Sequence, residues 1–129
     1  MEGKTAVRTE EAPAPFQGAP YSQAIKAGGF VFVSGQLALR PDHAEIVGDS
    51  IGEQTEQVFA NLRAILEAAG SGLDRVVKTT VYLADLGDFA RMNEVYARHV
   101  GDVPPARATI EVSALPSGAK VEIEAVATL

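Results

Sequence analysis

The chain has no cysteine. That absence excludes disulfides, thiolate metal sites, thiol nucleophiles and thiol redox chemistry together. It has only two histidines, His43 and His99, far apart and without the spacing of a metal motif. Basic residues number 11 against 17 acidic ones, giving a net charge of −6. A phosphate-binding surface needs the opposite sign, so neither nucleic acid nor an anionic membrane is an expected partner. No apolar run approaches the roughly 20 residues that span a bilayer. The polar stretch from Met1 to Ala14 has no apolar signal core, so a cytoplasmic location is expected. There is no phosphate loop and no Gly-x-Ser-x-Gly. Ser117 and Lys120 match a Ser-x-x-Lys pattern, but a turn running into a strand cannot bring that lysine onto the serine.

What is present is ordinary globular material. A chain of 129 residues makes one domain and buries roughly two-thirds of its extended surface, so no staple is needed. Residues 1–19 read as a flexible arm. Ala12-Pro13-Ala14-Pro15 and Gly18-Ala19-Pro20 can sustain neither a helix nor a sheet ladder. The domain then runs over residues 20–129.

Two strands, Tyr21 to Lys26 and Phe30 to Ser34, flank Ala27-Gly28-Gly29, which signals a hairpin. Ser50 and Glu53 have capping-box spacing. Behind them Ile51, Thr55, Val58, Phe59, Leu62, Ile65, Leu66 and Ala69 recur at helical period, and Gly70 ends the helix. Gly70-Ser71-Gly72 comes after a helix, not a strand, so it is no dinucleotide loop. Arg75 to Ala84 is a strand. Asp85 or Asp88 caps a second helix with Phe89, Met92, Tyr96 and Val100 on its apolar side, and Gly101 ends it. His99 falls late in that helix, where a cation complements the dipole. Arg107 to Val112 and Lys120 to Thr128 are the last strands. The order is β-β-α-β-α-β-β.

Each helix has one apolar stripe and so wants one sheet face. A two-layer α+β sandwich, with both helices on one face of a mixed sheet, satisfies both. By strand alternation, the far face carries Arg107, Glu111, Glu122, Glu124 and Lys78 among Val76, Tyr82 and Val126. Such a face is either solvated or a subunit interface with a charged site at its edge. Arg107 and Glu122 share that face by this parity. If the last two strands form a hairpin, both lie near its open end. The pair reads either as a cross-strand ion pair, worth roughly 0.2–1 kcal/mol, or as chemistry. A guanidinium can grip a carboxylate with two parallel hydrogen bonds, and a glutamate can orient or deprotonate a water.

Several segments together carry a resemblance. They are Pro20-Tyr21-Ser22-Gln23, Val33-Ser34-Gly35-Gln36, Gln54-Thr55, Asn61-Leu62 and Val77 through Leu83. Asp85-Leu86-x-Asp88-Phe89, Asn93, Tyr96, Pro105-Ala106-Arg107 and Val121 through Ala125 continue it. In their order and spacing they resemble the RidA (YjgF) family over nearly all of residues 20–127.

The resemblance implies a chorismate-mutase-like fold, assembled as a homotrimer with clefts between subunits and using no cofactor. It implies hydrolysis of reactive 2-enamine or 2-imino acids, such as 2-aminoacrylate and 2-iminopropionate, to 2-keto acids and ammonia. Arg107 resembles the substrate-carboxylate clamp and Glu122 the water-positioning residue. Tyr21, Ser34, Gly35 and Asn93 resemble cleft-lining positions. Thr109 stands where many members have cysteine. The usual role there is a backbone contact beside the substrate, so threonine preserves it and bears on substrate preference more than on reaction. Burial would raise the Glu122 pKa and a nearby arginine would lower it. Two other functions fit the same fold: a non-catalytic small-carboxylate-binding or regulatory protein, and a ribonuclease or translation inhibitor. The acidic balance and the lack of a basic or aromatic stacking tract oppose the second.

Overall fold

A computed structural model of the chain describes residues 3–42 and 44–129. His43 lies outside the described residues. The first strand, β1, is Thr5–Val7. Next come β2, Ala24–Ala27, and β3, Phe30–Gln36. Gly28 and Gly29 turn β2 into β3 at φ values of 60° and 85°, a conformation that glycine adopts without steric cost. Helix α1, Ile51–Ala68, leads to β4, Val76–Leu83. Helix α2, Phe89–Ala97, leads to β5, Ala106–Glu111, and β6, Val121–Thr128.

The strands form one sheet in the order β1-β2-β3-β6-β4-β5. All neighbours are antiparallel except β4 and β5, which run parallel because α2 carries the chain back between them. Both helices pack on one face. Val58, Phe59, Leu62, Ile65 and Leu66 of α1 and Met92 and Tyr96 of α2 form one apolar cluster with Val31, Val33, Val81, Leu83, Val121, Ile123, Ala125 and Ala127 of the sheet. Each of these larger side chains contributes about 1.5–3 kcal/mol on leaving water. This is the expected α+β architecture. Ser50 and Glu53 form the expected capping box, and Gly70 ends α1 with φ 87°.

Four local expectations change. First, Thr5–Val7 is an edge strand pairing with Lys26, Ile25 and Ala24, where a flexible arm was expected. These three residues lie far enough ahead of the prolines to form a ladder, and the buried Gln23 side chain ties down the segment from Thr9 to Pro13. Its Nε2 donates to the carbonyls of Thr9, Ala12 and Pro13, and its Oε1 accepts from the Thr9 amide. Second, β5 and β6 are not a hairpin, because β4 lies between them. Third, the register of β4 on β6 shifts between Val76 and Lys78. This bulge turns Val76 toward the core and leaves Val77 exposed, reversing the alternation read from sequence. Fourth, His99 is no free C-terminal charge. Its ring stacks on Phe59 at 4.6 Å between centroids, and its Nε2 lies 2.8 Å from Glu56 Oε1.

Among the described residues, no helix is long and apolar enough to cross a membrane.

Candidate active site

Pro104 and Pro105 deliver the chain into β5, where Arg107 stands level with Thr79 of β4. Thr79 belongs to the buried, helix-facing side of β4, so the Arg107 side chain rises on that side too. There it meets α2. Its guanidinium carbon lies 4.7 Å from the centroid of the Tyr96 ring and 5.5 Å from that of Phe89. Both rings attract the cation through their π faces. The Tyr96 ring is held in turn by a hydrogen bond between its hydroxyl and that of Thr79, 2.6 Å long and buried. Arg107 is half-buried and braced. Among the described residues, no carboxylate pairs with it.

Two further polar groups belong to this side. Asn93 lies one turn after Phe89 and one turn before Tyr96, on the same stripe of α2. Thr109 lies two residues beyond Arg107 on the same face of β5, level with the fully buried Val81. Asn93 Oδ1 and Thr109 Oγ1 are both buried with no hydrogen-bond partner among the described residues. Leaving such a group unpaired costs about 1–3 kcal/mol.

Glu122 is elsewhere. It stands level with Tyr82, on the sheet face that the helices leave uncovered. β3 is bulged between Val33 and Gln36, and Gly35 in the bulge lies directly beneath the Glu122 carboxylate. A Cβ at Gly35 would collide with Oε2 and come within 2.9 Å of Cδ, so a side chain there would push the carboxylate out of its present position. Burial, and next the charge of Glu124, pushes the Glu122 carboxyl above its ordinary pKa. Glu124 itself accepts a 2.8 Å hydrogen bond from the Tyr82 hydroxyl. That bond first, then burial and the two glutamate charges, raises the Tyr82 phenol.

Tyr21 and Gly35 line a crevice of about 20 Å3 with Phe16, Gln36, Leu37 and Leu39. The Tyr21 hydroxyl accepts from the Phe16 amide at 2.6 Å. Ser34 does not offer its hydroxyl to the crevice. It donates to the Ser22 carbonyl at 2.6 Å and so fixes the segment that carries Tyr21. A cavity of about 870 Å3 lies between the N-terminal segment and Tyr21 to Gln23, and neither Arg107 nor Glu122 lines it.

Arg107, Asn93 and Thr109 thus form one group, and Glu122, Gly35 and Tyr21 another, on opposite faces of one sheet. The expectation that Arg107, Glu111 and Glu122 share a face is corrected. Inserting β4 between β5 and β6 places Arg107 level with Thr79 and Glu122 level with Tyr82, β4 positions of opposite parity. Glu111 also faces the helix side, where its carboxylate accepts from the Leu86 amide at 2.8 Å. The apolar residues of β5 took the outer face instead, leaving Ile110 46% exposed. Sequence reasoning missed Phe89 and Tyr96 as the seat of Arg107. Their i, i+7 spacing was visible only as an apolar stripe.

A model of the family described as Endoribonuclease L-PSP matches residues 9–129. The chain is 52% identical over 126 residues to Reactive Intermediate Deaminase A, chloroplastic, of Arabidopsis thaliana, covering 98% of this chain and 66% of the plant protein. The solved structure of RidA from an Antarctic Psychrobacter superposes with a TM-score of 0.91 at 45% identity, over 97% of this chain and 99% of that one. That of E. coli TdcF with bound serine superposes with a TM-score of 0.88 at 36% identity, over 97% of this chain and 98% of that one. With the family model spanning all but the first eight residues and the sandwich shared throughout, the chain belongs to the RidA (YjgF) family.

Proposed function

We propose that the protein hydrolyses 2-imino acids and their 2-enamine tautomers to 2-keto acids and ammonia, at sites completed between subunits of a homotrimer. The observation that carries this is the half-buried, aromatic-braced Arg107, paired with no carboxylate among the described residues. A planar cation held in that way suits a ligand carboxylate gripped by two hydrogen bonds. The plant relative bears the name of a deaminase. The E. coli relative has bound serine, a small molecule with a carboxylate.

The chemistry needs few groups. A protonated imine is already electrophilic at C2. Water adds its oxygen to C2 while the C=N π electrons move to nitrogen. The resulting carbinolamine loses the C–N bond, and with the protons from water the nitrogen leaves as ammonium. One water in, one 2-keto acid and one ammonium out balances atoms and charge. Arg107 fixes the carboxylate. Glu122 aims the water and receives its proton, a role favoured by a carboxyl pKa raised toward the working range.

Because Arg107 and Glu122 occupy opposite faces of one sheet, they can act on one substrate only if they come from different copies. The uncovered face supports such an assembly. Phe32 is 46% exposed there, in one row with Ile25 and Val126. Burying Phe32 completely contributes about 1.5–3 kcal/mol. In a closed ring each copy offers two different surfaces, so every Arg107 half meets a Glu122 half.

The test is a coupled assay. An amino-acid dehydratase or oxidase generates the imine in the presence of semicarbazide, and 2-keto acid release is measured across several side chains. Faster release with the protein supports the reading. Carboxylate binding without acceleration points to a non-catalytic binder. The family model's description raises ribonuclease action. Cleavage of RNA that survives stringent purification and is lost in Arg107→Ala would favour it, against the net charge of −6.

A further inference from the structure

We infer that His99 is a positioning residue for the arginine: gripped by Glu56, it backs the Phe59 and Tyr96 rings that seat Arg107, and its protonation tightens carboxylate binding there. The inference rests on the reading that Arg107 clamps a carboxylate.

Three rings stand in file behind the guanidinium. Arg107 lies against Tyr96. Tyr96 and Phe59 meet edge to face, with centroids 5.4 Å apart and planes at 81°. The His99 imidazole lies flat on Phe59, its plane within 7° of the phenyl plane. Phe59 and Tyr96 are buried, and the His99 side chain is only 13% exposed. Interiors are close-packed, so a ring in such a file shifts only when its neighbours shift. The far end of the file is set by a polar bond, His99 Nε2 to Glu56 Oε1 at 2.8 Å. Glu56 and Phe59 are three residues apart on α1 and so share one side of it. One stretch of α1 therefore grips the imidazole by its edge and by its face, and fixes the turn that follows α2.

The edge grip depends on charge. Histidine is the side chain whose charge ordinarily changes between about pH 5 and 8. Glu56 faces the imidazole from α1, and Arg98, beside it in the turn, shares that carboxylate by donating to Oε2 at 3.0 Å. The Tyr96 phenol, the other titratable group of the file, is bound to Thr79. Burial pushes the Glu56 carboxyl up, but its bonds and charge pairing with His99 and Arg98 together outweigh burial and hold it below the ordinary value of 4.5. Glu56 is therefore ionised on both sides of the histidine titration. A protonated imidazole gives it a charge-assisted bond, roughly twice as strong as a neutral one. A neutral imidazole has two tautomers, and in one of them Nε2 faces the carboxylate oxygen with no proton between. Losing the proton loosens the grip, and the slack passes through Phe59 and Tyr96 to Arg107. Linkage makes the effect reciprocal: a carboxylate that fixes Arg107 favours protonated His99.

The experiment is calorimetric titration of the intact protein with pyruvate between about pH 5 and 8, joined to NMR titration of the His99 ring with and without pyruvate. In the wild type, pyruvate should bind about fivefold more weakly at the upper end than at the lower, the low end of coupling between two sites. Saturating pyruvate should move the His99 titration to higher pH by the same factor. His99→Phe keeps a ring on Phe59 and removes the titration. Its pyruvate affinity should be flat across the range, although Glu122 is untouched. Glu56→Gln leaves His99 and Arg107 in place, so a direct pull between pyruvate and the imidazole would persist in it. The affinity difference and the movement of the His99 titration should nonetheless both vanish. A flat wild-type affinity overturns the inference and leaves the clamp standing. So does a slope that survives in His99→Phe, or a His99 titration that pyruvate moves as far in Glu56→Gln as in wild type. A wild-type protein that binds no pyruvate at any pH overturns the clamp and the inference together. If His99→Phe does not fold, Glu56→Gln alone decides.

Discussion

The Arg107 guanidinium carbon lies 4.7 Å above the Tyr96 ring, and the Tyr96 hydroxyl is bound to Thr79, the residue level with Arg107 on the neighbouring strand. Helix, strand and arginine are therefore locked by one tyrosine. Tyr96→Phe leaves the buried Thr79 hydroxyl unpaired and should cost about 1–3 kcal/mol in urea unfolding. The ring remains, so 2-keto acid binding should survive. Tyr96→Leu should lose both stability and binding.

Arg107→Ala should weaken 2-keto acid binding by about 2–5 kcal/mol, the cost of breaking a desolvated charge pair. Arg107→Lys should not restore it, because an ammonium lacks the planar fork and stacks poorly on Phe89 and Tyr96. Titration calorimetry measures both. Near-normal affinity in the alanine variant would end the clamp assignment.

Glu122→Gln keeps size and removes the base, so the deamination rate should fall while 2-keto acid affinity holds. Gly35→Ala pushes a Cβ into the same carboxylate. It should lower the rate by about a hundredfold, as expected for a group displaced by roughly 1 Å. An unchanged rate in either variant would remove Glu122 from the chemistry.

The Glu122 carboxyl is raised by burial and then by Glu124. The folded chain thus holds this proton more tightly than the unfolded chain does. Its stabilising contribution is present below the ordinary value of 4.5 and is lost as pH rises through the folded value. Relative to wild type, Glu122→Gln should gain stability as pH climbs through that window. If Glu122 is the base, the rate should rise with pH along a limb above 4.5. Glu124→Gln should move that limb to lower pH. A limb indifferent to Glu124 would contradict the coupling.

Light scattering after size exclusion should report about three times the 13.5 kDa chain mass. Val126→Glu places a charge in the row of Ile25 and Phe32, two residues from Glu124 on the same face. Assembly and activity should be lost together. A fully active monomer would refute a site shared between copies.

Much of the molecule was legible as local pattern. The capping box at Ser50 and Glu53, the period of α1, the Gly28-Gly29 turn and the parity within β6 each depend on residues close in sequence. The motifs around Arg107 and Glu122 were legible too, and they singled out both residues as candidates. Their placement was not. Which face an edge strand presents depends on its register with a neighbour far along the chain, and here β4 lies between β5 and β6, so parity read strand by strand put Arg107 on the wrong side. The same holds for Val76, turned inward by a bulge, and for Thr5–Val7, which pairs with a strand some twenty residues away. It holds for the two orphaned acceptors as well. Sequence gives the hydroxyl of Thr109 and the amide of Asn93, but only packing buries them with no partner among the described residues.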